Sequence, residues 1–443
     1  MKLKKAWIGI GLMLCTLLTG CGAKESVYVV NPVDGVNYNN SSPYGDKRIL
    51  KGENGFYYNA FYKMFELHYY DESSRQSVFL CSRPECLHNG EEFCTATGTD
   101  SLNDVILYDG KLYCLTYSWD EEDNTQLVLL RVEPDGSGRT KLATLATPKA
   151  KAYRNGHLFI HRGIVFASYD GMTEEKEILG MVTYNLLDGT ITNFPEYTFT
   201  HSLEGYHFDE CLPNYAFMCA GNYVYYNEYR PGESRKNKLF ICRYDIETGE
   251  VTDYLPSEIY KGVFCVTEED EIVYSDKFGN IFTYNFATQE KQSFDKLLMP
   301  TRQRQEDGTY ILNEVHKTNV GVGDFFYYKG ELYAFLDMSM HFQQYIDMNW
   351  NKDGSYYVLG AIKLDQDMKQ VGEILVNPIH NDEIREYLFG SEETGYSDYN
   401  SYMLHILDDS MYLQSDRGVV RLSLEDYLNG TLTYDFLMRF MEE

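Results

Sequence analysis

Seven times along this chain a short apolar strand with an aromatic near its middle recurs: NGFYYNAF from Asn54, DGKLYCLTY from Asp109, RGIVFASY from Arg162, GNYVYYNEY from Gly221, DEIVYSDKF from Asp270, KGELYAFLD from Lys329 and DDSMYLQSD from Asp408. With Tyr58, Tyr113, Phe166, Tyr225, Tyr274, Tyr333 and Tyr412 as equivalent points, the mean interval is about 59 residues, above the roughly 40 to 50 of common propeller blades. Insertions account for the excess. Most copies are followed by an alternating strand, a turn rich in Asp, Gly and Thr, and a further strand: LLRVEPDGSGRTKL from Leu129, MVTYNLLDGTITNF from Met181, ICRYDIETGEVTDY from Ile241 and IFTYNFATQEKQSF from Ile281. Period and turn chemistry make these hairpins. GAIKLDQDMKQVGEI from Gly360 and VVRLSLEDYLNGTLTY from Val419 are weaker versions, the last with a helical turn at Leu424 to Leu428.

A repeated unit of strand, strand and hairpin cannot bury both of its faces alone, so units must stack around an axis. The expected fold is all-β, a seven-bladed β-propeller. The interval from Tyr333 to Tyr412 leaves room for a count of six or eight, and His341 to Ser355 reads as an insertion. Forty tyrosines and 24 phenylalanines suit half-buried strands. Ring closure is expected to draw strands from both chain ends, the N-terminal one from Val27 to Val30 or Arg48 to Lys51. Two β-sandwiches would need a linker near the middle, and no Pro/Gly/Ser-rich break is found there.

The N-terminus, MKLKKAWIGIGLMLCTLLTGCG, has Lys2, Lys4 and Lys5 before an apolar run from Ala6 to Leu18, the pattern of a secretion signal. The run is shorter than the roughly 20 residues of a spanning helix. Leu18-Thr19-Gly20-Cys21 resembles the lipobox of bacterial lipoproteins, which implies a diacylated Cys21 as the first mature residue, and two acyl chains anchor stably where one is marginal. Residues 1–20 are then the signal peptide, 21–47 a lipidated tether and 48–443 the propeller. The expected location is the extracytoplasmic face of the cell membrane, with the lipid bilayer as a partner through Cys21. Loss of the three lysines takes the net charge from −28 to −31, a field that repels nucleic acid.

The stretch LCSRPECLHNGEEFC, residues 80–94, gathers Cys81, Cys86, His88 and Cys94. The spacing C-x4-C-x-H-x5-C offers three thiolates and one imidazole, the ligand set of a closed structural zinc site, and Pro84 and Gly90 permit the reversals it needs. A disulfide among the same cysteines, favoured by an oxidising exterior, is the alternative; three sulfurs cannot all pair internally. Cys114, Cys242 and Cys265 sit in strand patterns and read as buried small hydrophobes, and Cys211 and Cys219 flank LPNYAFM at pairing distance in sequence. His157 and His161 share one face of a strand pattern, better read as a structural pair than as metal ligands. Asp347, Asn349, Asn351 and Asp353 have the oxygen content of a calcium loop, but Lys352 stands at the glycine position and Val358 where the closing Glu belongs. The acidic run from Asp120 to Asp123 reads as solvated.

The lipobox, the Tyr-rich blades and the C-x-x-P-x-C-x-H element with a further Cys together resemble acidic surface lipoproteins of Gram-positive gut bacteria whose propellers are similar to TolB-like and WD-repeat-like groups of unknown function. The resemblance implies binding or scaffolding and supplies no catalytic residue. The expected function is a non-catalytic propeller that binds a glycan, peptide or envelope protein at one mouth of its ring, with Tyr345 and Trp350 as candidate contacts in the insertion. Tyr387, Tyr396, Tyr399 and Tyr402 form a second group of aromatics outside the repeat. An extracytoplasmic lyase or glycoside hydrolase, with carboxylates from different blades at the mouth, is the alternative; among 67 acidic residues the sequence singles out no pair.

Overall fold

A computed structural model describes residues 49–439, apart from stretches within the connections, of which 201–216, 337–354 and 391–402 are the longest. Seven antiparallel sheets of at least four strands follow one another along the chain, over 49–79, 102–146, 152–200, 217–254, 264–293, 322–376 and 403–439. The protein is a seven-bladed β-propeller. The seven marker aromatics all lie in second strands, and every one is buried. A second strand has a neighbouring blade on each face, so it is apolar on both faces and does not alternate, as strands buried on both sides do. Fourth strands lie at the rim. Ile191–Asn193 and Lys291–Ser293 are exposed throughout.

Seven apolar cores lie between the seven pairs of blades. Leu67 and Leu80 of blade 1 pack on Leu112 and Val132 of blade 2, and Leu115 and Leu127 on Leu158 and Val165 of blade 3. Phe159 and Phe166 meet Phe217 and Tyr226 of blade 4, and Tyr225 and Ile241 meet Phe264 and Tyr274 of blade 5. Val273 and Ile281 face Phe325 and Ala334 of blade 6, and Phe335 and Ala361 face Met411 and Val420 of blade 7. The ring closes where Phe56, Tyr58 and Tyr70 of blade 1 pack on Tyr412, Val419 and Met438 of blade 7. This corrects the expectation that Arg48 to Lys51 supplies a strand to a shared closing blade. Ile49–Lys51 opens blade 1, paired with its own second strand, and blade 7 is built wholly from the C-terminal end. Closure among the described residues is therefore by side-chain packing; Val27 to Val30 lie outside them.

The two ends of the blades differ. First and second strands are joined by tight turns such as Asp109-Gly110, Arg162-Gly163 and Lys329-Gly330, in which both residues have positive φ. These are type I′ geometries, whose twist matches the flanking strands. At this end each blade reaches for the next: His161 Nε2 donates to Gly221 O at 2.8 Å, Tyr225 and Arg243 both bond Asp270, Tyr328 donates to Asp409 at 2.9 Å, and Arg421 of blade 7 bonds Glu72 of blade 1. Partly exposed ion pairs of this kind contribute about 0 to 1 kcal/mol each, so the cores carry the stability and the belt sets register.

The connections between blades, and those between second and third strands, leave from the other end, and several of them are long. One pair of them builds an accessory sheet that the sequence reading missed. Leu298–Arg304 pairs with Tyr310–Asn319 and with Ser355–Tyr357, the last belonging to the insertion within blade 6. The connection from blade 6 to blade 7 forms α1 (Asp382–Phe389), started by the Asn381 side chain accepting from Ile384 N at 3.1 Å. Ile384, Leu388 and Phe389 fill the core between those blades. Tyr387 stacks on Phe436 with ring centroids 4.3 Å apart, so it packs on the ring. Tyr396, Tyr399 and Tyr402 lie outside the described residues. The expected helical turn is α2 (Leu424–Leu428), capped by Ser423.

Candidate metal centre

The fourth strand of blade 1, Gln76–Phe79, ends where Leu80 turns into the core between blades 1 and 2. Its N–H reaches Leu67 O at 2.9 Å. The chain then reverses through Arg83-Pro84-Glu85-Cys86, with Cys86 N donating to Arg83 O at 3.2 Å and proline at the turn position its fixed φ suits. His88 takes a positive φ of 55°. On the return, Leu67 N donates to Ala96 O at 2.9 Å, which ties the loop back to the third strand of its own blade.

These reversals bring Cys81, Cys86, His88 and Cys94 together. One ligand atom from each lies within 4.8 Å of the other three, and among the described residues this is the one such group of three or more His, Cys, Asp or Glu side chains. Metal–sulfur bonds of about 2.3 Å and metal–nitrogen bonds of about 2.0 Å at a tetrahedral ion require ligand–ligand separations of roughly 3.5 to 3.8 Å. His88 Nδ1 stands 3.5 Å from Cys94 Sγ. The donor set fits an ion that prefers soft sulfur with one imidazole. The site can hold a metal.

Packing fixes the ligands. Cys94 is fully buried, Cys86 nearly so, and Cys81 is partly exposed. The His88 ring lies on Phe79 with centroids 4.3 Å apart and planes 17° apart. Phe79 in turn lies on His68, at 4.4 Å. Burial, then the charge of His88, lowers the His68 pKa to about 4, so its 3.2 Å contact with Glu66 is a hydrogen bond donated by a neutral imidazole Nε2 to the carboxylate at pH 7. Burial and its neighbouring thiols push the Cys86 thiol up, against the N–H of His88. Burial also works on Cys81, but hydrogen bonds from Arg83 N–H, Thr95 N–H and the Thr95 and Cys86 side chains outweigh it and lower that thiol.

A second group holds the loop from the neighbouring blade. In the hairpin between the third and fourth strands of blade 2, Gly136 O accepts from Ser82 N at 3.1 Å and from Thr95 Oγ1 at 2.9 Å. Thr95 Oγ1 also lies 2.7 Å from Leu80 O. Gly136 has φ +70°, and a Cβ there would stand 2.8 Å from Cys81 N and 2.9 Å from Leu80 O. Backbone cannot yield as a flexible side chain does. Gly136→Ala is therefore expected to displace Cys81 and weaken metal affinity by about 10- to 100-fold, the range for loss of an outer-shell support, measured by chelator competition. The PDGSG turn was legible as a hairpin; its contact with Cys81 was not.

The other expected sites fall out differently. His157 and His161 are both buried in the first strand of blade 3, and His161 serves the contact to Gly221; neither belongs to a metal-binding group among the described residues. Cys114, Cys242 and Cys265 are buried as expected, though Cys242 also lies 3.5 Å from Arg230 Nη2. Cys21, Cys211, Tyr345, Trp350, the acidic run from Asp120 to Asp123 and the residues from Asp347 to Gly354 lie outside the described residues. Trp119, missed in the sequence, ends the second strand of blade 2 and is 62% exposed.

No family model matches this chain, and no curated protein matches it in sequence. Among solved structures it is similar to an oligogalacturonate lyase in complex with manganese, at 12% identity and TM-score 0.35, over 59% of this chain and 65% of that one. It is similar also to the β-propeller domain of the Trilobed protease from Pyrococcus furiosus, at 10% and 0.32, over 78% and 99%. A polysaccharide lyase of the PL25 ulvan lyase family gives 10% and 0.33, over 93% and 86%.

Proposed function

We propose that this chain is a lipid-anchored, extracytoplasmic binding propeller that recognises a glycan, peptide or envelope protein with the ring end that carries its long connections. The carrying observation is the asymmetry of the ring: one end is closed by short turns, several of two residues, while the other bears the accessory sheet, α1 and the exposed Trp119. A rigid scaffold with converging connections concentrates recognition on those loops. Tyr345 and Trp350 fall, by sequence, in the connection between the second and third strands of blade 6, which leaves from that same end. Zinc is the ion proposed for Cys81, Cys86, His88 and Cys94. With four protein ligands it has no open position for a substrate, and its role is to fasten the connection between blades 1 and 2. Anchoring is assigned to an acylated Cys21.

The experiment uses the full chain and its Cys21→Ala form. The parent should label with palmitate and partition with membranes, and the variant should do neither. Released into solution, the Cys21→Ala protein is screened against arrays of envelope polysaccharides and peptides. Trp119→Ala, and separately Tyr345→Ala with Trp350→Ala, should weaken the interaction found by at least tenfold while leaving the unfolding midpoint unchanged. Turnover of a polysaccharide, abolished by replacing a pair of mouth carboxylates, would replace the binding reading with an enzymatic one.

A further inference from the structure

The three thiols of the metal centre are not equivalent. Cys81 is partly exposed, whereas Cys94 is fully buried in a cluster with Phe79 and Ala96. The Cys86 thiol lies within 4.8 Å of those of both Cys81 and Cys94 and is less deeply buried than Cys94. The turn closed by Cys86 N on Arg83 O reverses the chain between Cys81 and Cys86, whose sulfurs lie within 4.8 Å of each other. An oxidant arriving from solvent therefore meets Cys81 first, and the next most accessible thiol within reach of it is Cys86.

We propose that this centre is an oxidant-labile metal clip, in which oxidation joins Cys81 to Cys86, ejects the metal and frees the loop between blades 1 and 2. It rests on the metal reading given above. With a diazene oxidant such as diamide, the Cys81 thiolate adds to one nitrogen while the other takes a proton. The Cys86 thiolate then attacks Cys81 Sγ, the S–S bond forms, and the substituted hydrazine leaves with a second proton. Two thiolates have given up two electrons and the N=N bond has taken them. The ion keeps only His88 and Cys94, half its ligands, and its affinity falls by more than a hundredfold. Cys94 remains reduced beside Cys86, placed to attack the new disulfide and reopen it in exchange with an external thiol.

The test begins with the full-length Cys21→Ala protein loaded with zinc and freed of excess. Diamide is added in steps with a chromophoric zinc chelator present, and cysteines are mapped by differential alkylation and mass spectrometry. The expected result is one zinc released per disulfide, that disulfide linking Cys81 to Cys86, with Cys94 alkylated and zinc rebound after dithiothreitol. Cys86→Ser should then form no disulfide within the loop. Retention of zinc under a tenfold excess of diamide, release without a disulfide, or a dominant Cys81–Cys94 link would each overturn the clip. A chain that takes up no zinc at the outset fails the metal reading itself, an outcome distinct from a loaded chain that will not release it.

Discussion

Replacing Cys94 with alanine should empty the metal centre and cost the fold about 4 kcal/mol, the stabilisation that an ion supplies when its free concentration is a thousandfold above Kd. Binding at a site absent from the unfolded chain adds directly to folding free energy. Cys94 is the ligand with most to lose. It is fully buried, faces His88 Nδ1 at 3.5 Å and accepts from Thr97 N at 3.4 Å, so its removal also loosens the return of the loop. Protein purified without chelator should carry close to one metal per chain by elemental analysis, and the variant none. Urea unfolding of the parent should become easier on adding a strong chelator, whereas the variant should not respond. His88→Ala should lose the metal too. If the parent contained no metal and an intact disulfide instead, the centre would be a covalent staple.

Removing the Phe56 ring should destabilise the protein by about 3 to 5 kcal/mol, the cost of deleting a fully buried aromatic that leaves a cavity. Phe56 packs edge-on against Tyr412, with centroids 5.3 Å apart, across the interface that joins the two ends of the described chain, and stacks on Tyr70 of its own blade at 6.5 Å. Phe166→Ala, in the core between blades 3 and 4, should cost a similar amount. The two should differ in how they fail. Loss of Phe56 opens the ring at its seam, so limited proteolysis should cut first near blades 1 and 7, while loss of Phe166 should give no such preference. Identical cleavage patterns would mean that closure depends on something other than this core.

Much of the ring was legible because its geometry imposes itself on every blade. A second strand held between two neighbours must be apolar on both faces, and that constraint wrote an aromatic-centred run seven times. The α2 turn was legible because Ser423 and the acidic first turn are a local cap. The four metal-site residues were legible for the same reason: they lie within one short stretch, and their chemistry needs no distant partner to be recognised. What escaped depends on contacts between distant segments. The strand Leu298–Arg304 reads as a polar connection, since its partner Ser355–Tyr357 comes from another blade's insertion. Gly136 gives no sign in sequence that it abuts Cys81. The part of Arg48 to Lys51 in closure was misjudged because packing between Phe56 and Tyr412 leaves no strand pattern to read. Tyr387 stood outside the repeat and suggested a contact surface, yet the helix that carries it turns its ring onto Phe436.

A seam held by side chains has a mechanical side. Any pull delivered through the N-terminal segment arrives at Ile49, in a strand whose ladder to its neighbour has three residue pairs, Ile49 with Tyr58, Leu50 with Tyr57 and Lys51 with Phe56. Tension there peels a short edge bond by bond, and the same three partners include Phe56 and Tyr58, which form the seam with blade 7. Load and latch thus share residues. A ring fastened by an exchanged strand would spread that load in shear across one blade, whereas among the described residues a pull on Ile49 loads the seam first.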